Sequence, residues 1–145
     1  MAQDNLMPVP ALVPAFVLSL EAAERIHVGT LSTGGIREHV ACRGGRIQGE
    51  RLKGNVLAGH VGETWLRRAD GVTVVDLHLN IRTDDGHTLR LTATGYSTED
   101  LHFVGTRLSL LFEVDQGGPY EWLARTAFLA ERKSGTEVFV IAEIA

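Results

Sequence analysis

Four polar residues at alternate positions, Asp76, His78, Asn80 and Arg82, give this sequence its clearest opportunity for chemistry. Side chains along an extended strand point to opposite faces in turn, so these four share one face while Val75, Leu77, Leu79 and Ile81 share the other. A carboxylate beside an imidazole orients the ring and raises its basicity, which suits proton abstraction or donation near neutral pH. An arginine on the same face can stabilise an enolate or a carboxylate through charged hydrogen bonds. Asp76, His78 and Arg82 are therefore candidate catalytic residues, with His60 as an alternative base. Candidate substrate contacts are Arg37, Glu63 as a second carboxylate, Asn80, and Trp65 with Trp122 as an aromatic wall. The competing reading is plain: an ion-paired sheet face in water, with two core tryptophans.

Other chemistries find little support. No Gly-x-Ser-x-Gly elbow occurs, and Cys42, the only cysteine, lies between Ala41 and Arg43 as a small buried residue would. Gly34-Gly35 and Gly44-Gly45 lack the Lys-Ser/Thr of a phosphate loop and read as turn glycines. His60, Glu63 and His78 could converge in a barrel, but without close ligand spacing no metal site is expected. No organic cofactor is expected either.

The polar strand belongs to a hairpin. Val72 to Thr83 alternates, Asp84-Asp85-Gly86 tolerates positive φ, and His87 to Gly95 alternates again, with Arg90, Thr92 and Thr94 opposed to Leu89, Leu91 and Ala93. Around it lie short strand-like segments separated by turn signals: Phe16–Leu20, Arg37–Arg43, Arg46–Gln48, Asn55–Ala58, Glu63–Arg68, Thr106–Val114 and Thr136–Ile144. The pattern predicts an all-β fold, a small antiparallel β-barrel with room for one short helix. Helix competes at Ser19–Arg25, through Glu21-Ala22-Ala23-Glu24, and at Tyr120–Glu131, where the turn and β-branched strand that follow favour an extended run. Alternation says that the two faces of the hairpin differ, not which one is inside. Either the polar face is hydrated, or it lines an interior cavity and a neighbouring subunit covers the apolar one.

At 145 residues the chain suits one barrel domain over 13–145, preceded by a proline-rich arm over 1–12. A net charge of -4, with basic residues interleaved among acids, argues against nucleic-acid binding. One cysteine precludes an internal disulfide. With no signal-peptide pattern and no apolar run long enough for a bilayer, the expected compartment is the cytoplasm, with no membrane partner.

An ordered run of motifs carries a family likeness. It comprises Val28-Gly29, Gly34-Gly35-Ile36-Arg37, Gly44-Gly45 with Gly49, Leu52-Lys53-Gly54-Asn55-Val56-Leu57-Ala58-Gly59, Glu63-Thr64-Trp65, Asp76 through Thr83-Asp84-Asp85-Gly86, and Tyr120-Glu121-Trp122-Leu123. The chain resembles the bacterial and fungal family called domain of unknown function 3237, or uncharacterised protein family 0311. It departs where Gly59-His60-Val61-Gly62-Glu63-Thr64-Trp65 replaces a shorter glycine-acid-Trp segment, and at Leu101-His102-Phe103-Val104-Gly105. The resemblance implies a closed barrel, often oligomeric, with a pocket whose rim this chain has rebuilt.

These readings converge on a cofactor-free enzyme acting on a small hydrophobic or aromatic carbonyl compound by proton transfer, as an isomerase, lyase or hydratase. The alternatives are a non-catalytic small-ligand-binding barrel and a structural subunit. A homo-oligomer is expected from the apolar strand faces together with the resemblance.

Overall fold

A computed structural model describes residues 7–59, 62–98, 105–133 and 135–145. Among these residues nine antiparallel strands run β1 (Leu12–Thr30), β2 (Ile36–Gly49), β3 (Lys53–Val56), β4 (Gly62–Arg67), β5 (Thr73–Thr83), β6 (Thr88–Thr98), β7 (Gly105–Glu113), β8 (Phe128–Arg132) and β9 (Val138–Ile144). A five-residue 3₁₀ helix, Glu121–Arg125, precedes β8.

The sheet closes on itself. From β1 it passes through β9, β8, β7 and β6 to β5; β3 and β4 both bridge β5 to β2, and β2 returns to β1. β3 pairs with one end of β5 and β2, Val56 against Ile81 and Gly45, while β4 pairs with the other, Gly62 against His78 and Ala41. Together they form one interrupted stave of the barrel.

Closure decides which face is inside. Val75, Leu77, Leu79 and Ile81 of β5 are buried with Leu89, Leu91 and Ala93 of β6, and Leu108, Leu110 and Phe112 of β7 continue the same layer. The interior is therefore an apolar core, and burying it is the main stabilising contribution. The cavity that would have placed the polar face of β5 inside is not what the sheet builds. Asp76, His78, Asn80 and Arg82 lie on the outer wall.

One competing alternative falls away and one expectation is corrected. Glu21-Ala22-Ala23-Glu24 is not helical but sits within β1, where the register against β2 shifts between Glu21 and Ala22 and again between Ala22 and Arg25. Helix propensity over two turns is too weak to withdraw a segment from a closed sheet, and bulges absorb the misfit. Glu121–Arg125 is a 3₁₀ turn rather than strand; only Phe128–Arg132 continues extended. Leu123 is fully buried, so the turn inserts an apolar plug that a strand would have kept in the wall.

Two glycines let strands approach closely. A Cβ on Gly45 would lie 2.3 Å from the Ser19 carbonyl oxygen, and one on Gly95 2.0 Å from that of Arg107. No helix among the described residues is long and apolar enough to cross a membrane.

Candidate functional site

The strand registers sort the candidate residues by face. Asp76 lies opposite Thr64 and Thr94, His78 opposite Gly62 and Thr92, and Arg82 opposite Asn55 and Thr88, all on the outer surface. The His78 ring is contacted by Arg90, whose Nη2 lies 3.4 Å from Nδ1, rather than by Asp76. Arg90 also donates to the Asn80 side-chain oxygen at 3.3 Å, and Arg82 donates through Nε to Thr88 at 2.9 Å. These are cross-strand surface contacts, the arrangement expected of a hydrated sheet face. Arg37 faces outward too, in register with Leu66 and, across β5 and β6, with Val74 and Tyr96. His60 lies outside the described residues.

Glu63 and Trp65 face the other way. Glu63 pairs in register with Val40 and Leu77, both buried, and Trp65 with Val75. Glu63 is 2 % exposed, the most deeply buried charged residue among those described. Burying a carboxylate there without a partner would be costly. Its partner arrives from the far side of the barrel: Arg132, the last residue of β8, donates from Nη2 to both Glu63 oxygens at 2.5 Å. The same nitrogen lies 3.5 Å from Glu137. The Arg132 guanidinium also sits 4.7 Å from the Phe139 ring centre and 5.6 Å from that of Trp65. Arg25 stacks on Trp65 at 4.5 Å and pairs with Glu38 at 3.6 Å.

Two donors in this cluster are unsatisfied. Among the described residues, the indole Nε1 of Trp65 and Nε of Arg132 are buried without hydrogen-bond partners. Natural structures leave few such groups, and each one needs an explanation. Beside the pair, a cavity of about 10 Å³ is lined by Glu63, Glu137, Cys42, Leu20, Val40 and Leu77 among others. That is at the lower limit for one water molecule. Cys42 is buried there and donates its thiol to the Gly44 carbonyl at 3.1 Å; burial pushes its pKa up, as for a structural rather than a nucleophilic thiol.

Trp122 does not join Trp65. It lies at the opposite end of the barrel with Phe16, Phe112 and Phe128, and Arg51 covers its ring at 3.6 Å. The structure thus brings Glu63 and Trp65 together, and leaves Trp122 and the outer residues apart from them. Sequence reasoning missed Arg132. Its signal was its parity: Phe128, Ala130 and Arg132 occupy one face, so an arginine follows two core positions on the inward side.

The model of the family described as "Protein of unknown function (DUF3237)" matches residues 10–144. The chain belongs to the DUF3237 family. Solved structures with the same fold include a protein of unknown function from Clostridium acetobutylicum, with TM-score 0.84 and 21% identity over 94% of this chain and 100% of that one. A β-barrel-like protein from Acinetobacter baumannii gives 0.78 and 22% over 96% and 97%. An enzyme from Penicillium herquei gives 0.79 and 21% over 97% and 98%. Among curated proteins, none matches the chain. At these identities the likeness establishes the DUF3237 barrel and not a shared reaction.

Proposed function

We propose that this DUF3237 barrel is a cofactor-free enzyme that moves a proton on a small hydrophobic or aromatic carbonyl compound, with its site at the Glu63–Arg132 end. The observation carrying this reading is the buried pair with two unsatisfied donors beside it. A buried ion pair contributes little net stability, because desolvating both charges offsets their attraction. Trp65 Nε1 and Arg132 Nε are N–H donors without an acceptor, as holding an enolate requires. Because the adjoining space of about 10 Å³ admits no more than one water, a substrate oxygen reaches them only when the barrel end opens around Glu63. Glu63 supplies the carboxylate that takes the α-proton and returns it to a neighbouring atom, leaving an isomer with no net change in charge. The Penicillium herquei relative of the same fold is called an enzyme, which is consistent with catalysis on this scaffold.

A second reading has its own observation. One Arg132 nitrogen occupies both Glu63 oxygens, and a carboxylate held that way suits binding without turnover.

The test is α-proton exchange in D₂O, followed by NMR, over a panel of aryl ketones and aldehydes, with the full chain and with Glu63→Gln. The enzyme reading expects exchange of at least one compound, reduced roughly 100-fold or more in the variant. Equal exchange by both proteins overturns it. Ligand-induced stabilisation of both proteins with no exchange by either supports the binding reading instead.

A further inference from the structure

The Glu63 end holds a histidine that proton transfer by Glu63 leaves unused. β1 and β2 pair with His27 opposite Glu38, and Glu38 in turn lies opposite Trp65 of β4. His27, Glu38 and Trp65 therefore form one row across three adjacent strands. Directly opposed side chains share a face of the sheet, so His27 faces the barrel end with Trp65 and not the outer wall. Arg25, two residues earlier on the same face, brings its guanidinium to 4.5 Å from the Trp65 ring centre. The nearby register shifts fall between Ala22 and Arg25 and between His27 and Gly29, so none separates Arg25 from His27.

Glu38, the carboxylate opposite His27, pairs with Arg25 at 3.6 Å instead. The His27 ring is exposed and makes no hydrogen bond or ion pair among the described residues. An uncommitted imidazole on the face that carries Glu63 and two open N–H donors can exchange protons with the molecule they bind. We propose that His27 is a second catalytic residue of this end, carrying a proton between the two oxygens of an α-hydroxy carbonyl substrate. The inference rests on the proton-transfer reading of Glu63 and narrows its substrate class. The wall that carries His27 is also the part freest to open. Past Leu20, whose N–H donates to the Glu137 carbonyl at 3.0 Å, β1 is paired only with β2 among the described residues. A strand held along one edge separates more easily than one held along both.

The chemistry needs both groups. Glu63 takes the α-proton, the C–H electron pair becomes a C=C bond, and the carbonyl π pair moves onto its oxygen, held by Trp65 Nε1 and Arg132 Nε. Neutral His27 takes the proton of the neighbouring hydroxyl and gives it to that oxygen. The stripped hydroxyl oxygen then forms the new carbonyl, and the C=C pair takes the proton from Glu63 at the former carbonyl carbon. The product is the α-hydroxy carbonyl with its two functions exchanged. Glu63 is again a carboxylate and His27 again neutral, and no oxidant or reductant takes part. Without His27 the intermediate takes its proton back at the original carbon, which exchanges hydrogen and forms no isomer.

NMR in D₂O tests this on the full chain with a panel of aromatic α-hydroxy ketones, phenylacetylcarbinol first, each beside the analogue that lacks the hydroxyl. The wild type is expected to exchange the α-proton and to form the transposed ketone from at least one member. In His27→Gln the ratio of isomer formed to proton exchanged should fall roughly 100-fold. His27 is exposed, so the substitution should leave the fold intact, which circular dichroism checks; should it misfold, His27→Asn takes its place. An unchanged ratio in the variant overturns the role of His27 and leaves the Glu63 reading standing. So does a wild type that exchanges protons in the panel and isomerises no member. Exchange of no compound by the wild type overturns the Glu63 reading and this inference together.

Discussion

The two ends of this barrel are made from the same strands and are closed in opposite ways. At one end Phe16, Phe112 and Phe128 meet with ring centres 5.4–6.2 Å apart, Trp122 packs beside them, and Leu123 of the 3₁₀ turn completes the plug. The β5–β6 turn at that end is tied on two sides. Arg46 donates to both oxygens of Asp84 at 2.7 and 2.8 Å, and the Tyr120 hydroxyl donates to Asp85 at 2.7 Å. At the other end the apolar layer gives way to Glu63, Arg132, Glu137 and the Trp65 indole, and the Asp70 carboxylate is held only by residues of its own turn, the Arg68 guanidinium and the Val72 N–H. One end satisfies its groups and packs them. The other keeps buried charge and open donors. In a barrel whose middle is solid, that contrast separates the part that holds the fold from the part free to be specialised.

The largest effect expected is at the packed end. Phe128→Ala removes the ring that contacts Phe16, Phe112 and Trp122, and should lower stability by about 3–5 kcal/mol in urea unfolding, since the surrounding strands cannot collapse into the space. A loss under 1 kcal/mol would mean that the aromatic plug is not what secures the barrel.

The polar end should answer differently. Arg132→Met alone strands the Glu63 carboxylate in the core and should cost about 3–5 kcal/mol. Adding Glu63→Leu to make the double variant should recover that loss or leave the protein more stable than wild type, because an apolar pair has no desolvation penalty. If the double variant is as unstable as the single one, the pair is structural, and the contrast between the two ends fails.

The sequence carried the hairpin well. Alternation along β5 and β6 and the Asp84-Asp85-Gly86 turn are local signals, and the observed register, Arg82 against Thr88 through Thr73 against Ser97, follows from them. It could not carry the sign of the faces, because inside and outside are defined only when β1 meets β2 and the sheet closes. For that reason Asp76, His78 and Arg82 ranked first and lie on the outer wall. Glu63 was recognised as a carboxylate, but its partner is 69 residues away, and pairing across a barrel leaves no spacing in the chain. The 3₁₀ plug was hidden for a similar reason: Trp122-Leu123-Ala124 is compatible with strand, helix or turn until an open barrel end requires filling.

The smallest effect concerns the ties at the packed end. The Arg46 guanidinium holds the Asp84 carboxyl below its usual range, and hydrogen bonds from Thr83 and Tyr120 do the same for Asp85. A carboxyl whose native pKa is depressed stays ionised in the folded chain at pH values where the unfolded chain has begun to take up protons. Its stabilisation is therefore fully present well above the ordinary value near 3.8, and is lost as the pH falls through the native pKa. Arg46→Gln removes the main cause at Asp84, so acid should destabilise the variant less steeply than wild type below about pH 4, while the two should run parallel from pH 6 to 8. Asp84 is about half exposed, so water and salt screen the contact and the difference should be modest, shrinking further in 0.5–1 M salt at roughly a 3–4 Å screening length. Arg68→Gln makes the matched change at the polar end, where Arg68 lowers the pKa of Asp70. Both variants should flatten the acid limb of thermal melts. Only Arg46→Gln joins strands distant in sequence, so it alone should also speed hydrogen exchange in the β5–β6 turn; equal exchange in the two variants would show that the turns at both ends are held equally.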